Sequence, residues 1–373
     1  MLNILKIAIA APLHHYFDYL APTDFPLNQL KKGLRVLVPF GKQEKVGFLM
    51  ELSTTSERPL SQLRTAIAIL DKVPLLPDSI QRLLEWTSRY YHCPLGEVFA
   101  NALPNSLRVG KDFKNSLKKS PKIHAAKINS KKIVINTTTD GALAKIIQLN
   151  THQQQAIATI INSLGKFQAF LLNGVTGSGK TEVYLEAIQA VLDRGEQALV
   201  LVPEIGLTPQ MLERFQARFS VPLLLFHSRL TEKQRLEHWL LSKTGAASII
   251  IGTRSALFTP LLRPGIIIVD EEHDSSFKQQ NGLRYHARDL ALVRGRLENI
   301  PVILGSATAS LESVFNARQK RYQMLHLPER AGNALQPSFH FVDLRQQKLE
   351  QGFAPVLLQT MQKHLQNQGQ VLL

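Results

Sequence analysis

The fold is decided by one stretch of sequence, Gly174-Val175-Thr176-Gly177-Ser178-Gly179-Lys180-Thr181, which satisfies the P-loop pattern GxxxxGK[ST]. An apolar segment, Ala169–Leu172, precedes it and a helical pattern, Glu182–Leu192, follows it. The glycines let the backbone curl so that its N–H groups and the helix N-terminus face phosphates. We expect Lys180 to reach the β- and γ-phosphates and the Thr181 hydroxyl to ligate magnesium. The pattern predicts nucleotide binding by the whole stretch, but it leaves kinases, GTPases, transporters and helicases open.

A pair of adjacent carboxylates narrows this choice. The apolar strand Ile266–Val269 leads into Asp270-Glu271-Glu272-His273, 90 residues beyond Lys180, and this is a DExH box. Asp270 is expected to hold magnesium, usually through water, and Glu271 to polarise the water that attacks the γ-phosphate. His273 is expected to link the nucleotide site to neighbouring motifs. Acidic turns are common at strand ends, but the upstream P-loop favours the catalytic interpretation.

Two further segments extend the pattern. Gly305-Ser306-Ala307-Thr308 follows the apolar strand Val302–Leu304 and is similar to the Ser-Ala-Thr motif of superfamily 2 helicases, which couples hydrolysis to strand separation through residues such as Ser306 and Thr308. Gln153 precedes the P-loop by some twenty residues, where helicases place a glutamine that recognises adenine. The alternative for Gln153, a polar start of a helix, stays open. If Gln153 reads adenine, the nucleotide is ATP.

Hydrophobic patterning predicts an α/β protein with two kinds of domain. From Leu149 onward, continuous apolar strands alternate with amphipathic helices, which is typical of a parallel sheet covered on both faces. We therefore expect a RecA-like P-loop ATPase lobe over residues 149–330, preceded by a small β-rich, barrel-like DNA-binding domain over residues 1–105. The predicted lobe strands are Ala169–Leu172, Ala198–Val202, Leu223–Phe226, Ser248–Ile251, Ile266–Val269 and Val302–Leu304.

The connecting region, residues 106–148, is interpreted as a basic linker or a reduced winged-helix remnant. Residues 111–145 contain nine lysines and two aspartates, with no convincing periodicity. In the β-rich region we expect strands at Ile4–Ala10, Arg35–Val38 and Val46–Leu52, followed by a helix at Ser79–Tyr91.

Composition bounds the function. The formal charge of +15 indicates a polyanionic partner, with nucleic acid the leading candidate, although some soluble proteins are simply basic. The single cysteine, Cys93, excludes an internal disulfide framework and a Cys-rich zinc site within this sequence. Lys6 interrupts the apolar N-terminus, and no run approaches the roughly 18 apolar residues of a membrane span. We therefore expect a cytoplasmic protein without a membrane partner.

The sequence resembles the PriA family of superfamily 2 replication restart helicases in several stretches. These are Leu201–Gln210, Ile251–Phe258 and Asp270–Asp289, together with the motifs in their order. The resemblance implies an ATP-dependent 3′-to-5′ DNA helicase of the replication restart primosome, which recognises stalled or abandoned forks and supports replisome reloading. It also implies ATP and Mg²⁺ as cofactors, forked and single-stranded DNA as ligands, primosome proteins and single-strand-binding protein as partners, and association with the nucleoid.

The resemblance also assigns DNA-contacting residues. Two stretches correspond to single-strand contact motifs, where backbone amides and hydroxyls suit sequence-blind phosphate contacts; the side chains implied are Thr208, Thr253, Arg254 and Ser255. Residues 274–289 resemble an aromatic-rich loop that connects DNA occupancy to ATP hydrolysis, with Lys278, Arg284 and Tyr285 as its candidates.

The N-terminal segment Tyr16–Pro22, with Val36–Gly41, resembles a domain that recognises the 3′ end of a nascent leading strand. Phe17 and Tyr19 are expected to form the aromatic wall of a terminal-nucleoside pocket, and Asp18 to accept the 3′-OH. Arg64 stands where the family usually has a lysine. The alternative is that these residues are core aromatics and a turn aspartate of a β-barrel.

The resemblance stops short of a complete helicase. Residues 331–373 are expected to be the start of a truncated second lobe with one helix-like segment, Pro355–Gln366. The sequence has no counterpart of the family's later motifs, arginine finger or zinc-binding cysteine cluster. We therefore expect this chain alone to bind ATP and fork DNA without unwinding. The alternatives are another superfamily 2 DNA translocase and a non-catalytic fork-binding fragment.

Overall fold

The computed structural model describes residues 4–23, 25–110, 149–330, 338–345 and 347–373. Two compact units are distinguished, Met1–Ala331 and Gly332–Leu373. Residues 111–148, most of the predicted basic linker or winged-helix remnant, lie outside the described residues, as do residues 331–337 at the predicted start of the second lobe.

The N-terminal module is an antiparallel sheet with the strand order β2-β1-β4-β3-β5. Its strands are β1 (Ile4–Ile9), β2 (Phe17–Leu20), β3 (Arg35–Phe40), β4 (Gln43–Ser53) and β5 (Ala68–Ile69). A bridge between Leu20 and Thr65 brings the β2 edge against the segment that enters β5. The two sheet edges therefore meet, which confirms the predicted β-rich, barrel-like fold.

Three helices follow this sheet, and each begins directly after a proline. They are α1 (Asp78–Tyr90), α2 (Leu95–Asn101) and α3 (Asn105–Arg108). A buried ion pair ties β3 to them, because Arg35 donates from Nε and Nη2 to the two carboxylate oxygens of Asp71, each at 2.8 Å. The Arg35 Nη1 atom donates to the Leu107 carbonyl at 2.7 Å. Arg35 thus fixes α3 relative to the sheet.

The lobe is a parallel sheet with the order β12-β6-β11-β10-β7-β9-β8 in the described part of the chain. Its neighbouring strands pair in parallel. This confirms the predicted α/β lobe, with one strand, β12, that sequence patterning missed. The strands are β6 (Ala169–Gly174), β7 (Gln197–Leu201), β8 (Leu223–Phe226), β9 (Ile249–Gly252), β10 (Pro264–Val269), β11 (Val302–Ser306) and β12 (Gln323–Leu327).

Alternate residues of these strands enter two hydrophobic clusters, one on each face of the sheet. In β10, for example, Ile267 and Val269 join one cluster, whereas Ile266 and Ile268 join the other. The first cluster continues into the N-terminal module, where it includes Phe99. The covering helices are α4 (Thr151–Ile161), α5 (Lys180–Asp193), α6 (Pro209–Arg218), α7 (Glu232–Lys243), α8 (Ala287–Glu298) and α9 (Leu311–Arg318).

The second unit contains one helix in its described residues, α10 (Pro355–Gln366), where sequence patterning placed it. Among the helices of the described residues, none has the length and apolar character needed to cross a membrane.

The Arg35–Asp71 pair yields a stability prediction, since both side chains are nearly inaccessible, with exposures of 2% and 3%. Replacing Asp71 with asparagine leaves a buried guanidinium without its counter-charge, which we expect to lower the free energy of unfolding by about 3–5 kcal/mol. Urea denaturation of the variant measures this loss. The matched change Asp193→Asn, at an exposed site, is expected to stay within about 0.5 kcal/mol of the parent, and similar effects of the two changes would contradict the prediction.

Candidate nucleotide site and nucleic-acid interface

Three of the predicted motifs meet at one edge of the parallel sheet. Strands β6, β11 and β10 are neighbours, and their carboxyl ends lead into the P-loop, the segment Gly305–Thr308 and the segment Asp270–His273, respectively. Ligands of open α/β sheets bind at this edge. Motifs far apart in sequence thus form one cleft.

The P-loop curls as its glycines allow. Gly177 and Gly179 adopt φ angles of 79° and 80°, and Gly179 caps the N-terminus of α5. The Lys180 ammonium donates to the Gly174 carbonyl at 3.0 Å, which holds it over the loop. A Cβ on Gly174 would lie 2.4 Å from the Ser178 hydroxyl oxygen, so this close approach requires glycine. Thr181 is half-buried at the start of α5, whereas Val175 and Thr176 are exposed.

Gln153 has a different contact from the predicted one. Its Oε1 accepts from the Asn150 backbone N–H at 2.9 Å, as part of a capping box at the start of α4, and its Nε2 donates to the Ser178 carbonyl at 2.9 Å. The side chain is only 2% exposed. The structure thus matches the alternative interpretation, in which Gln153 is a polar residue at the start of a helix. Its side chain also supports the P-loop through the hydrogen bond to the Ser178 carbonyl. With its amide engaged on both sides, adenine recognition by Gln153 stays a prediction.

Asp270 is held by a residue that sequence patterning did not single out. The buried Tyr184 hydroxyl, from α5, donates to the Asp270 Oδ1 atom at 3.0 Å. Burial and the neighbouring Glu271 raise the pKa of Asp270, and burial next to Asp270 raises the pKa of Tyr184 well above its usual value. A Cβ on Gly305 would lie 1.6 Å from the Tyr184 oxygen, so only glycine at 305 leaves room for this hydroxyl. The sequence signal that could have identified Tyr184 is its position four residues after Lys180, on the same face of the helix.

The backbone of Glu271 has a φ angle of 47°, a left-handed conformation that is uncommon in residues other than glycine. This turn places its carboxylate 3.6 Å from the His273 Nδ1 atom. The same Nδ1 lies 2.7 Å from the Ser306 hydroxyl, and His273 Nε2 lies 3.4 Å from the Thr308 hydroxyl. The structure therefore brings together the residues that were assigned to coupling.

Glu272 anchors a network that sequence analysis missed. It is fully buried and accepts from the Ser310 backbone and hydroxyl at 2.7 and 3.0 Å, from the Ser313 hydroxyl at 2.9 Å, and from Arg288 Nη1 at 3.2 Å. Arg288 lies within the aromatic-rich segment 274–289, and Ser310 follows the Gly305–Thr308 segment. Glu272 thus joins three functional segments through hydrogen bonds.

The predicted single-strand contacts surround a small cleft. Thr253, Arg254 and Ser255 line a cavity of about 170 Å³ together with Ser276 and Gln279 from the loop. The Arg254 Nη1 atom donates to the Ser276 carbonyl at 2.8 Å, which ties these residues to the loop. Thr208, by contrast, caps α6 by accepting from the Met211 N–H at 3.2 Å.

The aromatic-rich loop turns its aromatic residues inward. Tyr285 is 5% exposed and packs against Phe258 at 5.1 Å between ring centroids, so DNA contact by Tyr285 stays a prediction. Burial raises its pKa. Arg284 is exposed, and the Lys278 ammonium donates to the Arg284 carbonyl at 3.1 Å. The loop surface is thus cationic and polar.

The N-terminal candidates lie on two faces of β2. Tyr19 is buried, with its hydroxyl donating to the Pro39 carbonyl at 3.0 Å, which matches the alternative of a core aromatic, and its place in a pocket wall stays a prediction. Phe17 is half-buried between His15 and Phe40, at 4.7 and 5.1 Å between centroids. Sequence analysis missed these two neighbours, although Phe40 lies in the Val36–Gly41 stretch it singled out.

On the opposite face of β2, the Asp18 carboxylate receives a 2.6 Å hydrogen bond from Ser56 and lies 3.4 Å from the Lys6 ammonium. The Arg64 guanidinium is exposed and donates to the Gly41 carbonyl at 3.3 Å. Because successive strand side chains point to opposite faces, Phe17 and Asp18 reach a common ligand only around the edge of the strand.

The residues of the nucleotide site fit a magnesium nucleotide. In the described ranges, no group of three or more His, Cys, Asp or Glu side chains is arranged to hold a metal. Magnesium in P-loop sites is bound by few protein ligands together with phosphate oxygens and water. Thr181 and Asp270 at the end of the cleft supply that donor set, with Lys180 for the phosphates.

Comparisons with known proteins match both modules. The family model described as the 3′ DNA-binding domain of PriA covers residues 6–104, and the DEAD/DEAH box helicase family model covers residues 150–317. Replication restart protein PriA of Haemophilus influenzae is 38% identical over 100% of this chain and 58% of its own length. The corresponding protein of Rickettsia felis is 33% identical over 100% of this chain and 53% of its own. The chain thus spans about half the length of these curated relatives.

Other matches are partial. PriA of Bacillus subtilis is 42% identical over 54% of this chain and 25% of its own length. The structure of RecG bound to a three-way DNA junction covers 51% of this chain and 25% of its own, with 19% identity and a TM-score of 0.38.

The contact between Tyr184 and Asp270 yields a prediction. Tyr184→Phe removes the donor that orients the carboxylate while keeping the buried ring. We expect the affinity for a fluorescent ATP analogue in Mg²⁺ to fall roughly two- to tenfold, since one hydrogen bond contributes about 0.5–1.5 kcal/mol, with no change in EDTA. Titrations under the two conditions measure this. The exposed Tyr90→Phe change is the control, and an equal loss in EDTA would show a general structural effect instead.

Proposed function

Because this chain joins a 3′ DNA-binding domain of the PriA type to a DEAD/DEAH box helicase domain, we propose that it serves an ATP-dependent 3′-to-5′ DNA helicase of the replication restart primosome. In this role it recognises stalled or abandoned forks and supports replisome reloading. The observation that carries the proposal is the meeting of Lys180, Asp270 and Ser306 at the ends of adjacent strands, in a unit that also contains the N-terminal module.

The proposed chemistry assigns each polar group of the cleft a task. The P-loop amides and Lys180 bind the phosphates, Thr181 and Asp270 hold magnesium, and Glu271 orients the attacking water. Magnesium, when bound, neutralises charge that develops on the phosphates. His273 contacts Glu271 as well as Ser306 and Thr308. We propose that these contacts connect the water-orienting Glu271 carboxylate to the Gly305–Thr308 segment, which couples hydrolysis to strand separation.

We propose four segments with separate roles. Residues 1–105 recognise the 3′ end, residues 106–148 are a linker or reduced winged helix, residues 149–330 form helicase lobe 1, and residues 331–373 begin a second lobe. We propose primosome proteins and single-strand-binding protein as partners in the cytoplasm at the nucleoid. Zinc belongs to the family's cysteine cluster, and the single Cys93 of this sequence does not supply one.

We propose that the 373-residue chain by itself binds ATP and fork DNA with little hydrolysis and no unwinding. Helicases close ATP between two lobes, and an arginine finger accelerates related NTPases roughly 10³- to 10⁵-fold.

Another superfamily 2 translocase and a non-catalytic fork-binding fragment are the alternative functions. The N-terminal module distinguishes the proposed function from the first alternative, because a translocase that does not act at strand ends has no need of a 3′-end pocket at Asp18 and Phe17. Nucleotide binding at Lys180 discriminates the second.

Nucleotide binding is the first test. We expect the chain to bind a fluorescent ATP analogue with Mg²⁺, and Lys180→Ala to weaken binding at least about tenfold, because the lysine of a P-loop binds the β- and γ-phosphates. Lys166→Ala, upstream of β6, is the control. Binding that survives Lys180→Ala would remove the P-loop assignment, and fork unwinding by the purified chain would remove the proposed need for a second lobe.

Recognition of a 3′ end is the second test. Asp18 is expected to accept a hydrogen bond from a terminal hydroxyl and to repel a terminal phosphate. Forks ending in 3′-OH should therefore bind at least about fivefold more tightly than forks ending in 3′-phosphate, as measured by fluorescence anisotropy at fixed salt. Asp18→Asn should reduce this preference, whereas Glu57→Gln, an exposed change in the same module, should leave it intact. Equal affinities of the parent chain for both forks would overturn the 3′-end assignment.

A further inference from the structure

A second cavity lies beside the cleft at residues 253–255, and its volume is about 420 Å³. This is within the range of roughly 300–1,000 Å³ that is typical of ligand pockets. One wall is built from the ends of α2 and α3, and the other is built from the lobe, including Phe226 at the end of β8. Three strands, β7, β10 and β11, separate β9 from β6 and its P-loop. The cavity is therefore a site apart from the nucleotide cleft.

The interior of this cavity is apolar and largely aromatic. Its buried lining residues from the lobe, each at most 5% exposed, include Phe226, Trp239, Phe258, Leu283 and Tyr285. The rim is polar and is formed by exposed or half-buried side chains. An apolar interior with a few polar groups at its mouth suits a ligand that has an apolar ring at one end and a charge at the other.

Two buried polar groups in the cavity walls have no hydrogen-bond partner in the described part of the chain. The Trp239 indole N–H is buried without an acceptor, and the whole residue is 2% exposed. The Thr259 hydroxyl also has no partner within the described ranges, although the residue is only 3% exposed. Buried polar groups without partners destabilise a protein and are uncommon in native structures. A ligand with hydrogen-bonding ring atoms satisfies both.

Two arginines give the mouth of the cavity a positive charge. Arg108 Nε donates to the Leu103 carbonyl at 2.8 Å, and Arg235 Nη2 donates to the His227 carbonyl at 3.1 Å. Within the described residues neither arginine forms an ion pair, and Glu232 is the one carboxylate that lines the cavity. Burial lowers the pKa of Arg108; Glu232 opposes this effect and Arg235 reinforces it. An anion bound between the two arginines offsets their repulsion.

The cavity is continuous with the predicted single-strand cleft. Arg235, Ser255 and Gln279 line both spaces. A ligand held by backbone phosphates at residues 253–255 can therefore extend into the second cavity without leaving the protein surface. The ligand class that has repeated phosphates, each followed by a ring with hydrogen-bonding atoms, is a nucleic acid strand.

We propose that this cavity receives one unpaired nucleotide of a DNA strand, with the base against the aromatic interior and the phosphate between Arg108 and Arg235. The proposal deepens the proposed function and rests on it for the choice of DNA. A base enters such a pocket only when it is unpaired and turned out of its stack. A free nucleotide has the same base and phosphate, so the experiment compares the two sources.

A nucleotide in this cavity contacts both modules of the chain. Asn101 and Asn105 belong to the end of the N-terminal module, whereas Trp239 and Ser255 belong to the lobe. The strand that crosses the lobe is thereby held next to the module that is proposed to recognise strand ends.

Photo-crosslinking of the 373-residue chain tests the location. The strand probe has about 20 nucleotides, carries 5-iodouracil in place of thymine and ends in a 3′-phosphate, which disfavours binding at Asp18. The free-nucleotide probe is 5-iodo-deoxyuridine monophosphate at the same base concentration. Irradiation links 5-iodouracil to aromatic side chains in contact with it, and mass spectrometry of peptides locates the link. We expect the strand to label Phe226, Trp239, Phe258 or Tyr285, and the free nucleotide to label none of them.

Two variants test the contacts by anisotropy with a labelled oligothymidylate at constant salt. Thr259→Val removes the hydroxyl at almost constant volume and should weaken binding roughly two- to tenfold. Arg108→Gln removes a cation from the mouth and should weaken binding about tenfold. Thr159→Val on α4 and Arg318→Gln on α9 are the matched controls and should stay close to the parent. Retained binding of the ATP analogue shows that each variant is folded.

An abasic strand of the same length and charge separates base insertion from general phosphate attraction. Because this strand has no base to insert, it should bind the parent and Thr259→Val alike. An equal loss of affinity for oligothymidylate and the abasic strand would overturn the proposal.

Two crosslinking results would also overturn it. One is strand labelling confined to residues outside the cavity. The other is labelling of the cavity by the free nucleotide and not by the strand, which would assign the cavity to a free nucleotide instead of DNA. Neither result bears on the nucleotide test at Lys180 or the 3′-end test at Asp18, so failure of this proposal is distinguishable from failure of the proposed function.

Discussion

The parallel hydrogen bonding of β6, β11 and β10 is the constraint on which the rest of the structure depends. Its register pairs Ser306 with Asn173 and Leu304 with Val269, so the three strands end together at one edge. The Glu272 backbone N–H then donates to the Gly305 carbonyl at 2.9 Å, which extends the pairing beyond the strands. A slip of one residue would exchange the two faces of a strand and separate the motifs. Hydrophobic burial on both faces of the sheet resists that slip.

The same edge explains why three small or unusual positions are needed there. Gly305 leaves space for the Tyr184 hydroxyl, Gly174 leaves space for Ser178, and Glu271 takes a left-handed backbone. Each removes bulk or turns the chain where strand ends crowd together. Backbone strain and close approach of this kind are typical of functional sites, where packing elsewhere stabilises them.

Strand positions could be predicted because buried parallel strands read as continuous apolar runs, and α10 could be predicted from its periodicity. The role of a side chain could not be predicted where it depends on which face of a strand or loop the residue occupies. Tyr19 and Tyr285 are of a residue type that stacks on bases, but strand alternation and the path of the loop bury both side chains in the core. Gln153 stands at the expected spacing, yet a capping box and the Ser178 carbonyl engage its amide. Tyr184 and Glu272 act through contacts with residues distant in sequence, which no local pattern records.

The contacts of Glu272 connect the DEEH segment to helices α8 and α9. A fully buried carboxylate is costly unless its oxygens are hydrogen-bonded and its charge is matched. Here Ser310, Ser313 and Arg288 supply donors, so the carboxylate is stable only while α8, α9 and the DEEH segment keep their places. Helix α8 is itself clamped to α1, because Ser79 donates to Glu298 at 3.1 Å and Glu298 pairs with Arg294 at 3.0 Å. A displacement of α1 would therefore disturb the partners of Glu272 before it moved the sheet, because α1 reaches Glu272 through the polar contacts of α8.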